Sequence, residues 1–267
     1  FFKKRVFLLY MFVCVSGTIL IAYACQFLFF NPGVDLGNPL LKGVATLSGG
    51  ESGVIRKGGP NVRMVMDPGG KGIIATYADD IDGRGQVVFD GCAGRFKQVF
   101  PGQDDNGRYI ENIAQWLGQD GAGKGVLVYG LSGDGAKPLP VEGVRAVLGR
   151  KGFRLRVTDR RETPRLTRQL LSQFGQVWLF FGGSGGIGLS GEEVQEMTRY
   201  NAAGGGMVIV ADGLAGASEA NPLSSRFGVT FSGSVDNRQK LPVTAWPSLL
   251  TQGSEWVGRL LKMVGKA

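Results

Sequence analysis

The first candidate for chemistry is a glycine-rich segment that directly follows the apolar run "QVWLFF". Gly183, Gly185 and Gly188 have the G-x-G-x-x-G spacing of dinucleotide-binding loops. In such loops the glycines open a helix, and its N-terminus holds the pyrophosphate. Here Ser190 and Glu193 form a capping-box pattern, which starts the helix later and places carboxylates at its end. With 45 glycines in 267 residues, chance matches are expected, so we predict a loop that binds no nucleotide.

The sequence contains no histidine, which excludes the commonest general base and most transition-metal sites. Two of the three cysteines, Cys14 and Cys25, lie in the apolar N-terminus, so the remainder has no disulfide framework. We therefore predict no bound metal and no cofactor.

The remaining candidates for ligand binding follow predicted strands. In open α/β sheets, ligands bind at the carboxyl ends of the parallel strands. The residues with suitable chemistry at those ends are Ser132, Asp159, Gly183, Ser184, Gly185 and Asp212. Asp212 ends the apolar run "GMVIVAD", where a carboxylate either binds a ligand or caps the next turn; we favour the cap.

The elements that must position these residues alternate from residue 125 onward. Strands are predicted at "GVLVYG", "FRLRVTD", "QVWLFF" and "GMVIVAD", and helices between them, one of which starts at Thr163. This order predicts an α/β fold with a doubly wound, mostly parallel sheet and helices on both faces. An edge strand at "GVTFSG" and a tail helix at "SEWVGRLLKMVGK" follow.

The preceding segment, 36–118, is predicted to be rich in strands and then helical. Strands are expected at 62–66, 72–78 and 85–91, separated by glycine turns. The apolar face of "DDNGRYIENIAQWLG" predicts a helix. We expect this helix to cover a face of the sheet, with Trp116 in the core between them.

The N-terminus predicts a membrane anchor over residues 1–30. Lys3, Lys4 and Arg5 precede 25 uncharged residues, 6–30, which as a helix would measure about 37 Å, enough to cross a bilayer core. The positive-inside rule places the N-terminus in the cytoplasm and residues 31–267 outside, which is the periplasm in a Gram-negative cell. A cleaved signal peptide, or lipidation at Cys25, is the alternative.

A cluster of arginines marks the region from residue 150 to residue 168. Arg154 and Arg156 lie on one face of a predicted edge strand, where charges prevent pairing with other sheets. With Arg160 and Arg161 they also form a candidate docking site for an acidic partner or for lipid headgroups. The formal net charge of +8 falls to +5 without the N-terminal cluster, so nucleic acid is not expected as a partner.

The run "WLFFGG…LSGEEVQEMTRYNAAGGGMVIVADG…NPLSSRFGVTF" resembles the class I glutamine amidotransferase-like superfamily. It is most similar to a non-catalytic, membrane-associated bacterial branch of unknown function. The segments "NPLLKGVATL" and "DGRGQVVFDGCAGRF…DDNGRYIENIAQWLG" resemble the C-terminal part of the same family. Because that part comes first here, the resemblance implies a circular permutation, with 36–118 and 125–235 forming one domain within 31–267.

Catalytic members of this superfamily use a cysteine in a G-x-C-x-G turn together with histidine and glutamate. Cys92 in "FDGCAGRF" occupies a similar turn, but Asp90 replaces the first glycine and no histidine is present. A Cys-His-Glu triad is therefore excluded, and Cys92 is interpreted as a small residue in a tight turn.

Together these features predict a non-enzymatic, membrane-anchored domain that binds a partner protein or a small ligand within a membrane assembly. A divergent hydrolase or amidotransferase-like enzyme, with Cys92, Ser132 or Ser184 as nucleophile, is one alternative. A nucleotide or sugar-phosphate sensor at the sheet edge is another. Residues 236–267 have no predicted role.

Overall fold

The computed structural model describes residues 38–67, 70–78, 85–97, 104–118, 123–131, 139, 141–182, 188–236 and 241–242. Among these residues, no helix is long and apolar enough to cross a membrane. The predicted membrane segment and the predicted tail helix lie outside the described residues, so both stay predictions from the sequence.

Eleven strands are formed within the described part of the chain. They are β1 (Thr46–Leu47), β2 (Glu51–Lys57), β3 (Val62–Met66), β4 (Gly72–Tyr77), β5 (Val87–Asp90), β6 (Gly125–Gly130), β7 (Arg154–Asp159), β8 (Gln176–Phe181), β9 (Gly206–Ala211), β10 (Val229–Asp236) and β11 (Leu241–Pro242). Nine of them build one mixed sheet in the order β10-β2-β4-β5-β9-β8-β6-β7, with β3 paired to β4. Strands β1 and β11 form a separate two-stranded sheet.

Five of the nine strands run parallel to one another, namely β5, β9, β8, β6 and β7. Strands β8 and β9 are buried along their whole length and are apolar apart from Gln176, as expected for strands covered on both faces. Strands β10, β2, β3 and β4 extend the sheet in antiparallel fashion beyond β5. The fold is thus α/β, as predicted, with a mixed sheet.

Six α-helices accompany these strands in the described ranges. They are α1 (Gly94–Lys97), α2 (Asn106–Leu117), α3 (Glu142–Gly149), α4 (Arg168–Leu171), α5 (Gly191–Ala202) and α6 (Gly213–Ser224). Helices α2 and α3 pack on one face of the sheet, over a core that contains Val128, Trp178 and Val208. Helices α4, α5 and α6 cover the other face, over Leu127 and Ile209. Because side chains alternate along each strand, every buried strand contributes to both cores.

The two predicted parts of the domain, 36–118 and 125–235, share one sheet. Strand β5 pairs in parallel with β9, from Val87 opposite Met207 to Asp90 opposite Val210. This confirms the prediction that the strand near residues 85–89 lies beside the strands that follow residue 125. Helix α2 covers a face of that common sheet, also as predicted.

Two local predictions are wrong. The helix expected to start at Thr163 is α4 and begins at Arg168, with Thr167 as its N-cap. Thr163 instead closes the turn after β7, since its N–H donates to the carbonyl of Asp159 at 2.8 Å. Trp116 is only half-buried at the rim of the core, whereas Trp178 on β8 is completely buried.

Candidate functional site

The carboxyl ends of the parallel strands form one edge of the sheet. The strand order reverses between β6 and β8, because the connection after β6 crosses one face and the connection after β7 crosses the other. The loops at that reversal, 132–138 and 183–187, lie outside the described residues. Ser132, Gly183, Ser184 and Gly185 therefore stay predictions.

The turn after β5 is built on a buried ion pair. The carboxylate of Asp90 accepts hydrogen bonds from the N–H of Cys92 at 2.8 Å and from the guanidinium of Arg95. Its second oxygen accepts from the hydroxyl of Tyr109 on α2, at 2.8 Å. All four residues are fully buried. This network fixes the path of the chain from β5 into α1.

Burial dominates the electrostatics of this network. It raises the pKa of Asp90, and the charge of Arg95 and the hydrogen bonds offset only part of that effect. Burial, together with the charge of Asp90, also raises the pKa of Tyr109 well above its usual value. Among the described residues, Nε and Nη2 of Arg95 have no hydrogen-bond partner, so Asp90 is the one ion-pair partner that compensates this buried cation there.

The thiol of Cys92 is sealed by a pair of glycines from the segment before β2. The N–H of Gly50 donates to Sγ at 3.3 Å, and Cys92 is fully buried. A Cβ atom on Gly49 would lie 2.6 Å from the same sulfur, closer than real Cβ contacts come. A thiol in this position cannot reach a substrate, which agrees with its interpretation as a small residue in a tight turn.

Gly49→Ala is expected to destabilise the domain by about 1–3 kcal/mol, because the added methyl group overpacks against Cys92. Part of that loss should be recovered in a Cys92→Ala background, since the sulfur that clashes is then absent. Denaturant unfolding of the four proteins of this cycle measures the coupling. Equal costs of Gly49→Ala in both backgrounds would show that the glycine does not seal the thiol.

A polar pocket of about 250 Å³ lies beside this sealed turn, at the carboxyl ends of β5 and β9. It is lined by Gly50, Glu51, Gly94, Lys97, Asp212 and Gly213. The ammonium of Lys97 is 3.8 Å from the carboxylate of Asp212, and their side chains are 40% and 35% exposed. Burial raises the pKa of Asp212, and the nearby charge of Glu51 raises it further, against the opposing effects of Lys97 and the N–H of Ala93.

Asp212 does not cap helix α6, although the sequence favoured that interpretation. It occupies the N-cap position but makes no side-chain hydrogen bond to the helix. The carboxylate turns instead toward the N–H of Ala93 and toward Lys97. Asp212 is therefore a half-buried carboxylate whose only ion-pair partner among the described residues is a loose one.

Asp159 has a different environment at the same edge of the sheet. Its carboxylate accepts from the N–H groups of Arg161 and Glu162, at 2.9 and 3.2 Å, and pairs with the guanidinium of Arg161 at 3.0 Å. Burial opposes ionisation, but the hydrogen bonds and the charge of Arg161 together outweigh it and lower the pKa of Asp159. Asp159 thus closes its own turn and does not line the pocket.

The arginines proposed for docking differ in their surroundings. Arg161 pairs with Asp159, as described above. Arg154 and Arg156 are exposed on β7, which is an edge strand as predicted. Arg160, in contrast, is engaged inside the domain. Its guanidinium pairs with both carboxylate oxygens of Glu193, at 2.6 and 2.8 Å, donates to the carbonyl of Gly188 at 2.9 Å, and lies 5.9 Å from the ring centre of Tyr129.

Glu193 holds this contact and the start of α5 together. The capping box predicted from the sequence is present, with Ser190 and Glu193 bonded to each other's N–H groups. The same carboxylate accepts from the N–H of Leu166 at 3.0 Å. Burial opposes its ionisation, but the hydrogen bonds from Arg160, Leu166 and Ser190 outweigh it and lower the pKa of Glu193.

Sequence reasoning missed two residues of the pocket, Glu51 and Lys97. Neither belongs to a motif, and both reach the pocket only because β2 and α1 meet the end of β9. The close approach of β2 depends on glycine, since a Cβ on Gly91 would lie 2.0 Å from the carbonyl oxygen of Gly53. Among the described residues, no group of three or more Cys, Asp or Glu side chains could hold a metal ion.

No protein-family model and no curated protein matches this sequence. Among solved structures, the chain is similar to the IMPa metallopeptidase from Pseudomonas aeruginosa, with a TM-score of 0.54 and 14% identity over 78% of this chain and 23% of that chain. IMPa in complex with an O-glycopeptide (TM-score 0.53, 11% identity) and with T-antigen (0.53, 15%) covers the same shares. The chain thus spans under a quarter of the length of these proteins, and at this identity the similarity concerns the fold alone.

Proposed function

We propose that this chain is a non-enzymatic binding domain of a membrane assembly, with its ligand site in the pocket of Glu51, Lys97 and Asp212. The observation that carries the proposal is the state of Asp212. Its carboxylate is half-buried at the sheet edge where α/β folds bind ligands, yet it makes no capping hydrogen bond to α6, and its partners among the described residues are the N–H of Ala93 and one loose ion pair. A half-buried carboxylate with so few partners inside the fold is a candidate for binding.

The charges of the pocket indicate the class of ligand. Two carboxylates face one ammonium, so the lining of the pocket has a surplus negative charge. A positively charged group with several N–H donors would neutralise this surplus charge. The ammonium or guanidinium of a side chain from a partner protein is such a group. A volume of about 250 Å³ suits one such group.

The burial of Cys92 favours binding over catalysis. The thiol is closed off by Gly50, and the chain has no histidine to deprotonate it. An activity screen with and without a thiol-blocking reagent tests this part of the proposal. Hydrolase activity that disappears on blocking would contradict it.

The wider setting of the domain is part of the same proposal. The pairing of β5 with β9 supports a circularly permuted, amidotransferase-like domain with flavodoxin-like strand order. The uncharged segment 6–30 supports a single-pass anchor that holds residues 31–267 outside the cytoplasm.

Asp212→Asn is expected to raise the melting temperature at pH 7, whereas Asp159→Asn lowers it. The pKa of Asp212 is raised in the folded state, so its ionised form costs stability, and that cost appears as the pH rises above the unfolded value of 3.8. The pKa of Asp159 is lowered, so its contribution is present at neutral pH and is lost in acid. Solvent screening limits each change to about 1 kcal/mol, or about 2–4 °C.

Thermal unfolding at pH 7 and at pH 3 measures both variants. The gain from Asp212→Asn should disappear at the lower pH, where the wild-type carboxyl is protonated. A loss of stability from Asp212→Asn as large as that from Asp159→Asn would mean that Asp212 serves the fold.

A further inference from the structure

The region around β7 carries most of the net positive charge of the protein. Residues 141–171 contain nine lysines and arginines and three carboxylates, a net charge of +6 out of the chain's +8. Some of these cations are neutralised locally, because Arg161 pairs with Asp159, Arg165 with Glu192, Lys151 with Glu111 and Arg160 with Glu193.

Four arginines of this region have no such partner among the described residues. Arg150, Arg154, Arg156 and Arg168 are exposed, and no carboxylate of the described part pairs with them. We refer to these four as the arginine edge. Arg150 ends α3 on one face of the sheet, Arg154 and Arg156 lie on β7 itself, and Arg168 begins α4 on the other face.

Protection of the strand edge does not account for this charge. The outward backbone of β7 is already occupied in part, since Arg145 donates to the carbonyl of Leu155 at 3.2 Å and Thr163 donates to that of Asp159. One or two charges suffice to keep an edge strand from pairing. The further unpaired arginines are available to bind an anionic partner.

The composition of the edge distinguishes a lipid surface from a protein. Stable protein interfaces have an apolar or aromatic centre. Within the described residues the one exposed large hydrophobic side chain is Leu214, which lies on α6 beside the pocket and not at the β7 end of the sheet. Charge alone suffices for attraction to anionic lipid headgroups. The fixed fork of arginine also matches phosphate in bidentate fashion.

We propose that the arginine edge docks this domain onto a bilayer that contains anionic phospholipids, with the guanidinium groups binding the lipid phosphates. The proposal is independent of the pocket at Asp212. It also fits the sequence, in which the domain follows an uncharged segment long enough to enter a bilayer.

The test is flotation of the full chain with vesicles of phosphatidylcholine alone and of about three parts phosphatidylcholine to one part phosphatidylglycerol. The measured quantity is the partition constant for the anionic vesicles divided by that for the phosphatidylcholine vesicles. An apolar anchor contributes equally to both constants, so its contribution cancels in this ratio. Each arginine near an anionic surface strengthens binding about fivefold, so Arg154→Gln with Arg156→Gln should lower the ratio about 30-fold.

The matched control is Arg56→Gln with Arg226→Gln, which removes two exposed arginines at the other end of the sheet. Strand β2 is six strands from β7, or about 29 Å, several Debye lengths at physiological salt. The control should keep the wild-type ratio within about twofold, and melting curves should show all variants folded.

Three outcomes would overturn the proposal. A wild-type ratio near one would mean that the domain ignores headgroup charge. An equal loss in both double variants would reduce the effect to net charge. An edge variant that keeps the vesicle ratio but loses binding to poly-glutamate would assign the arginine edge to an acidic protein partner.

Discussion

Replacement of Arg95 by methionine is expected to destabilise the domain by about 3–5 kcal/mol. The change leaves Asp90 as a buried carboxylate without its ion-pair partner, and truncation of one member of a buried pair has costs of this size. Denaturant unfolding of the full chain, followed by tryptophan fluorescence, to which the buried Trp178 contributes, measures the loss.

Two controls separate the ion pair from general damage to helix α1. Lys97→Met removes a cation from the same helix, but its side chain is 40% exposed, so a cost below about 1 kcal/mol is expected. Asp90→Asn combined with Arg95→Met should recover part of the loss, because no unpaired charge is then buried. A cost for Arg95→Met no larger than that for Lys97→Met would contradict the network as described.

Glu193→Gln should cost about 2–4 kcal/mol at pH 7, since one carboxylate joins Arg160, the start of α5 and the N–H of Leu166. Its pKa is lowered in the folded state, so this stabilisation is present above the unfolded value of 4.5 and is lost as the pH falls below it. The difference between wild type and variant should therefore shrink in acid.

The matched control for this substitution is Glu196→Gln on the same helix. Glu196 pairs with Arg199, whose side chain is 64% exposed, so the expected cost is below about 1 kcal/mol. Unfolding curves recorded between pH 3 and pH 7 measure both variants. A cost for Glu193→Gln that is small, or that does not change with pH, would mean that Arg160 and Glu193 do not stabilise the fold as an ion pair.

Local patterns were readable from the sequence where neighbours along the chain determine the structure. The apolar runs of β8 and β9, the helix α2 and the capping box at Ser190 all involve residues close in sequence. The edge position of β7 was also foreseen, because the alternating arginines of "FRLRV" leave one face polar.

Predictions failed where a residue outside the local pattern binds the group that the pattern assigns elsewhere. Thr163 has the composition of a helix cap, but the carbonyl of Asp159 takes its N–H, so the helix begins later. The sequence groups Arg160 with the arginines of a candidate docking site, whereas Glu193, 33 residues away, holds its guanidinium. Asp212 has the position of a cap and makes no capping hydrogen bond.

The pocket could not be foreseen for the same reason. Glu51, Lys97 and Asp212 lie far apart in sequence, and the parallel pairing of β5 with β9 brings their ends together. That pairing joins the two parts of the chain, and no local pattern specifies which strand becomes the neighbour of β5. A resemblance to a permuted domain indicated the shared sheet but not the side chains at its edge.

The most direct test of the proposed ligand site is saturation-transfer NMR between the full chain and two small probes, N-acetyl-arginine amide and N-acetyl-glutamate amide. A pocket for one side chain should bind the arginine probe weakly, with a Kd on the order of 1 mM. We expect transfer to the arginine probe from the wild type and from Asp159→Asn, and its loss in Glu51→Gln with Asp212→Asn. Equal transfer from the pocket variant, or transfer only to the glutamate probe, would contradict the assignment of this pocket as a site for cationic groups.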